Sequence, residues 1–207
     1  YRALLVQRYD RTSILGHTIR HHQEDLCQAL GYRDDQKYEL DGGPGLKECF
    51  DLLQKHGTEP ILDKRHLLRW VIFNFLVDNC DAHAKNLSLL ISEDGIRLAP
   101  FYDLLSTKVY SGFDDRLAMK IGGENRPDWM MKRHWERLAE EAGVGIKAVF
   151  GFCQDLEETL PTAARRLEKD FVSQYGPSKI LQKIILNSEK RASLLSERLA
   201  EKISQKP

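Results

Sequence analysis

From Leu67 to Val77 the chain reads Leu-Leu-Arg-Trp-Val-Ile-Phe-Asn-Phe-Leu-Val, interrupted only by Arg69 and Asn74. A run this long and this apolar has to be a buried helix. The chain then turns polar at once, through Asp78 to Asn86, and becomes apolar again in Leu87-Ser88-Leu89-Leu90-Ile91, which reads as a buried strand. A dense polar loop held between two core elements keeps its side chains at the rim of the core, where rigid supports can aim them.

The loop is Asn79-Cys80-Asp81-Ala82-His83-Ala84-Lys85-Asn86, and Asp103 follows seventeen residues past Asn86. A polar turn capping the helix, with Asn79 or Asp81 bonded to free backbone groups, would account for the loop alone. It would not account for Asp103. An aspartate, an asparagine five positions on and a second aspartate after a short hairpin is a layout suited to phosphoryl transfer. The first aspartate accepts the proton of an attacking hydroxyl, and the other two residues hold Mg²⁺ against nucleotide phosphates. In the protein-kinase catalytic loop, Asp and Asn are separated by the same four residues. Mg²⁺ is hard, so Asp and Asn oxygens suit it better than His or Cys.

With 207 residues and 42% apolar content, one large domain or two small ones with a sizeable core are available. A formal net charge of zero argues against general affinity for nucleic acid or an anionic membrane. Locally, Pro161 to Pro207 holds ten Lys/Arg and five Asp/Glu, a net of +5. A solvated helix face explains that excess, and contact with nucleic acid or an acidic partner is the sharper alternative. Cys27, Cys49, Cys80 and Cys153 show no metal spacing and fit a reducing compartment. No apolar run is long enough to span a bilayer, and no secretory signal opens the chain, so the expected location is cytoplasmic without membrane contact.

In chain order, Ala3 to Asp10 reads as a strand, Asp10-Arg11-Thr12 as a turn, and Ser13 to Arg20 as the return strand. A domain opening on a core strand implies that something precedes it. His21 to Gly31 reads as a short helix favoured by Glu24 and Asp25 in its first turn. Adjacent His21 and His22 do not point the same way, which disfavours a shared metal. Tyr32 to Gly45 is a polar loop whose Gly42-Gly43-Pro44-Gly45 matches neither a P-loop nor a dinucleotide fingerprint. Leu46 to His56 is a helix ended by Gly57, and Pro60 or Asp63 starts the long buried helix. Leu87–Ser92 and Ile96–Leu98 form a hairpin, and Pro100 stiffens the approach to Tyr102-Asp103, folding Asp103 back beside Asn86. Residues 104–115 read as loop, and Leu117 to Ile121 as a short strand. Asp128 is placed as the cap of a helix from Trp129 to Ala142. Ile146 to Tyr175 is helical with a break at Pro161, and a final helix runs from Ser178 to about Ile203.

Four motifs resemble the HipA family of bacterial serine/threonine kinases. They are Gln7-Arg8-Tyr9-Asp10-Arg11, His22 to Gly31, Asp81 to Leu90, and Pro100 to Thr107, in the family's order over roughly the first half of the chain. The resemblance implies a mostly α fold with a few short strands, the C-terminal lobe of a protein-kinase-like domain. On this likeness residues 1–207 are one lobe, with hinge and strand pair at 1–20, catalytic core at 21–116 and a helical remainder at 117–207. It implies ATP and Mg²⁺ as cofactors, Asp81 as base, and Asn86 and Asp103 as metal ligands. Gln7, Arg8 and Tyr9 would lie at an adenine-binding hinge, with Asp10 near the ribose. His83 would orient the loop or the acceptor, and Lys85 would offset phosphate charge. The implied partners are a protein substrate, such as an aminoacyl-tRNA synthetase, and a small helix-turn-helix antitoxin of HipB type, with DNA reached only through the antitoxin. The family's N-terminal lobe carries a glycine-rich loop and a phosphate-pairing lysine, and neither has a counterpart here. The 207 residues alone are therefore expected to be weak or inactive. A non-catalytic scaffold for a repressor–DNA complex, and a lipid or small-molecule kinase with a similar loop, are the alternatives.

Overall fold

The computed structural model describes residues 5–112 and 114–200. Its centre is α3 (Pro60–Leu76), which buries Leu67, Leu68, Trp70, Val71, Ile72, Phe75 and Leu76. At roughly 1.5–3 kcal/mol for each fully buried large apolar side chain, this helix anchors the core. Around it pack α2 (Leu46–His56), α4 (Lys132–Ala142), α5 (Ile146–Tyr175) and α6 (Lys179–Ala200). Phe75 of α3 meets Trp135 of α4 edge-on at 5.2 Å. The first turns of α5 add Val149, Phe152 and Cys153.

Among the described residues, two small antiparallel sheets accompany the helices. One is a ribbon of β1 (Arg11–Ile14) and β2 (His17–Arg20). The other has the order β3 (His22–Asp25), β4 (Ser88–Ser92), β5 (Gly95–Leu98). The β4–β5 hairpin leads the chain from the polar loop to Asp103.

The observed elements differ from the sequence reading at several points. The expected strand over Ala3–Asp10 falls partly on residues 1–4, outside the described residues, and residues 5–10 enter no ladder. The ribbon turns instead at Leu15 and Gly16, both at positive φ, as a tight two-residue hairpin requires. His22–Asp25 is a strand, not a helix, because β4 offers its backbone as a partner, pairing Glu24 with Leu89 and Asp25 with Ser88. Pairing overrides local propensity. Helix remains only over α1 (Leu26–Ala29), capped reciprocally by Asp25 and Gln28.

Leu117–Ile121 forms no strand beyond a single bridge from Ile121 to Glu124. Leu117, Ala118, Met119 and Ile121 are buried one by one against the helices. Asp128 does not cap α4. Its carboxylate bonds Arg191, and α4 begins at Lys132, where His134 Nδ1 accepts the Met131 N–H. Pro161 does not break α5, which packs along α6, with Arg165 bonding Glu189 at 2.7 Å beyond the proline. Among the described residues, no helix is long and apolar enough to cross a membrane.

Candidate active site

The loop is built outward from the end of α3. Asn74, the polar interruption in the apolar run, is 3% exposed. Its Nδ2 donates to the Trp70 carbonyl at 2.8 Å, and its Oδ1 accepts from Asn79 Nδ2 at 2.7 Å. Asn79 Oδ1 in turn accepts the Asp81 N–H at 3.2 Å. The chain leaves the helix through Asp78, whose φ is +54°. Its carbonyl takes both the Thr107 N–H and the Thr107 hydroxyl, and that hydroxyl oxygen accepts the Cys80 N–H. Arg191 of α6 clasps the Asp78 carboxylate. Three separate stretches of sequence therefore fix the loop before Asp81 is reached.

Past Asp81 the chain makes a 3₁₀ turn over Ala84–Asn86. Asn86 Oδ1 accepts the His83 N–H at 3.0 Å, and Asn86 Nδ2 donates to Asp103 Oδ2 at 2.6 Å. Asp103 has φ +55°, a conformation non-glycine residues rarely adopt. The surroundings hold it there. Asn79 Nδ2 reaches its carbonyl at 3.4 Å, and the Tyr102 hydroxyl donates to the Lys85 carbonyl at 2.7 Å while meeting Ser88 Oγ. Burial pushes the Tyr102 phenol up to about 12, so it remains a donor at neutral pH.

Asp81 Oδ1 accepts from the Tyr38 hydroxyl at 2.6 Å. His83 Nε2 lies 3.8 Å and Lys37 Nζ 4.0 Å from the same oxygen. His83 is 6% exposed, and its burial, with the charge of Lys37, pushes the imidazole below its ordinary value and keeps it neutral. Its Nδ1 is buried with no partner among the described residues. A cavity of about 300 Å³ opens beside Asp81, bordered by Tyr38, Leu40, Asp41 and Arg116.

Asp81, His83, Asn86 and Asp103 thus share one site. The Lys85 ammonium reaches instead to the Asp34 carbonyl at 3.4 Å. Tyr9 stacks on Tyr102 with ring centroids 6.2 Å apart, next in sequence to Asp103, while Gln7 is exposed. Asp10 is 2% exposed, gripped by a forked pair of bonds from Arg8 and by Arg11, and the Arg8 bonds foremost hold its carboxyl down at about 2. Lys37, Tyr38, Asn74 and Arg191 are candidate-site residues that the motifs did not point to, while Thr107 ends the fourth motif. Of these only Asn74 left a mark in the sequence, as a polar residue inside the apolar run.

The chain matches the HipA-like C-terminal domain family over residues 1–172. It is 41% identical over 173 residues to protein Y4mE of Sinorhizobium fredii, which carries a kinase name, covering 83% of this chain and 41% of that protein. It is 38% identical over 141 residues to the serine/threonine-protein kinase toxin HipA of Shewanella oneidensis, covering 62% of this chain and 32% of the toxin. The solved complex of Shewanella oneidensis HipA, HipB and operator DNA contains a chain that superposes with a TM-score of 0.76 at 25% identity, covering 95% of this chain and 50% of that one. The chain spans half or less of the length of each of these proteins. With a kinase-like helical fold, a polar loop bracketed by a buried helix and a hairpin, and a family match over most of its residues, the chain belongs to the HipA-like C-terminal domain family.

Proposed function

We propose that this chain is the C-terminal lobe of an ATP- and Mg²⁺-dependent serine/threonine protein kinase of toxin type, with Asp81, Asn86 and Asp103 at its centre. The observation that carries the reading is the 2.6 Å contact between Asn86 Nδ2 and Asp103 Oδ2, one loop turn from the Asp81 carboxylate. Nothing in a core-packing role needs two strained or buried oxygen-bearing side chains brought together at a rim.

The donor set fits a hard cation. Asp103 is exposed, and its Oδ1 has no hydrogen-bond partner among the described residues, while Asn86 Oδ1 keeps a second lone pair. Among the described residues no three His, Cys, Asp or Glu side chains gather as a metal cage. Mg²⁺ commonly takes one or two carboxylates plus phosphates and water, so two protein oxygens suffice. When bound, the ion would offset phosphate charge. Asp81 accepts the proton of the acceptor hydroxyl as that oxygen bonds to the γ-phosphorus and the bond from phosphorus to ADP breaks. Neutral His83 supports the loop beneath Asp81. Tyr9 and its neighbours offer an aromatic wall to the adenine. The phosphate-covering loop and its lysine have no counterpart in residues 1–207, so transfer by this piece alone is expected to be weak.

The test is ATP-dependent phosphorylation by the complete gene product, with and without Asp81→Ala. Loss of about 10³-fold or more with an unchanged melting curve supports the reading. Unchanged transfer sinks it. A second reading, a scaffold that binds a repressor and its DNA without chemistry, is favoured by one observation. The solved relative sits in a complex with HipB and operator DNA. On that reading, Asp81→Ala leaves partner binding intact, and no phosphate is transferred by either protein.

A further inference from the structure

The run Gly42-Gly43-Pro44-Gly45 matches neither a P-loop nor a dinucleotide fingerprint, and the kinase reading does not use it. The structure shows what it touches. Tyr38 stands just before a 3₁₀ turn over Glu39–Asp41, and the chain closes back on it at Gly43. The Tyr38 carbonyl accepts from both Asp41 N–H at 3.0 Å and Gly43 N–H at 2.9 Å. A methyl group on Gly43 would stand 2.5 Å from the Gln36 carbonyl oxygen and 2.8 Å from that of Tyr38. Only glycine lets the two backbones lie that close. Glu39 ties the same turn to the segment after the cavity, through its N–H to the Ala118 carbonyl at 3.1 Å and its carboxylate to the Lys120 N–H at 2.6 Å.

This turn aims one side chain. The Tyr38 hydroxyl donates to Asp81 Oδ1 at 2.6 Å, across 43 residues of sequence. Its ring lies edge-on to His83, centroids 5.4 Å apart, and Lys37 Nζ sits over the ring, 4.7 Å from its centroid. Asp81 Oδ1 is thereby occupied by Tyr38 and flanked by Lys37 and His83. The carboxylate cannot turn without breaking that contact, and Oδ2 is the oxygen left to meet a hydroxyl. A base that must meet a proton within hydrogen-bond reach gains from being held in one orientation beforehand.

We propose that Tyr38 is a positioning residue for Asp81, and that the Gly42-Gly43 turn is the device that sets it. The inference rests on the kinase reading of the site. It predicts that Tyr38 acts through orientation of the base rather than through nucleotide binding.

The experiment uses the complete gene product and its ATP-dependent phosphorylation of itself or of a protein acceptor. Unsubstituted protein and Asp81→Asn come first. If the unsubstituted protein transfers no phosphate, the kinase reading fails and the proposal falls with it. If it does, Tyr38→Phe is measured. Phe keeps the ring against His83 and Lys37 and removes only the hydroxyl. The expected result is a fall in kcat of about 10- to 100-fold, with KM for ATP and the melting temperature unchanged. In the Asp81→Asn background the same change should have no further effect. Gly43→Ala, which shifts the Tyr38 backbone, should lower kcat in the same way while leaving Asp81 and Tyr38 chemically intact. An unchanged or increased kcat in Tyr38→Phe overturns the proposal and leaves the kinase reading standing. An increase would mean that the phenol occupies the acceptor's place. Equal losses in both the native and Asp81→Asn backgrounds would also overturn it, since the phenol would then act independently of the base.

Discussion

Arg191 Nη2 stands 2.7 Å from Asp78 Oδ1 across 113 residues of sequence, and neither side chain is more than 5% exposed. The same guanidinium donates to Asp128 Oδ1 at 2.8 Å and lies over the Phe75 ring. The last helix is thereby fastened to the first residue of the loop that carries Asp81. Lys183 adds a second tie, from Nζ to the Val109 carbonyl at 3.0 Å.

Removing one partner of a buried pair leaves the other charge unpaired, at a cost of about 3–5 kcal/mol. Arg191→Met should therefore destabilise the fold by that order in urea melts. Burial already pushes the Asp78 carboxyl above its ordinary value against the pull of Arg191. Without the arginine it moves higher still, and a group raised in the folded state costs stability as pH climbs through its folded value. The loss should be larger at pH 8 than at pH 5. Adding Asp78→Asn should restore part of it. A pH-independent loss, or no rescue, would mean that the ion pair is not what the arginine contributes.

On the proposed reading, Asp103 meets the cation through Oδ1 while Oδ2 stays on Asn86. Asp103→Asn keeps the size and the strained backbone but removes the charge. The Mg²⁺ concentration for half-maximal phosphorylation by the complete gene product should rise about tenfold or more, with the melting temperature little changed. An unaltered Mg²⁺ titration would exclude Asp103 from the cation's shell.

Much of this was readable beforehand, and the part that was not has a common cause. The apolar run of α3, the helix over Leu46–His56 and the hairpin after Asn86 follow from local periodicity, which sequence displays directly. The segment His22–Asp25 could be read as a helix because its charges suit a first turn, and only the distant edge of β4 makes it a strand. Pro161 looks like a break until α6 is laid along α5. The candidate site divides in the same way. Asp81, Asn86 and Asp103 lie within one loop and hairpin, so spacing brings them out. Tyr38 and Arg191 reach the loop from 43 and 113 residues away, through contacts that no local pattern encodes.

Asn74 gives a direct check on that division. On sequence grounds, Asn74→Leu completes an apolar stripe and should stabilise the helix. In the structure the amide is buried and links the Trp70 carbonyl to Asn79. Leucine would leave Asn79 Nδ2 with only the 3.4 Å contact to the Asp103 carbonyl. The expected net effect is a loss of about 1–3 kcal/mol, read by thermal or denaturant unfolding. A more stable variant would show that burial outweighs the anchor.

Acid should loosen the fold at the start of α4. His134 Nδ1 accepts the Met131 N–H at 2.9 Å, which requires that nitrogen to be unprotonated. Burial foremost, with Arg133 and Arg137, pushes the imidazole below its ordinary 6.5. The unfolded chain therefore binds a proton here at a pH where the folded one does not, and stability rises with pH across that interval. Equivalently, stability present above about 6.5 is lost as pH falls toward the folded value. His134→Asn can still accept the Met131 N–H but does not titrate. Its unfolding free energy should fall less between pH 7 and pH 5 than that of the unsubstituted chain. His83, also depressed, keeps some slope in both proteins. Identical slopes would mean that His134 is protonated in the folded state at no cost, and that the Met131 contact does not hold the helix start.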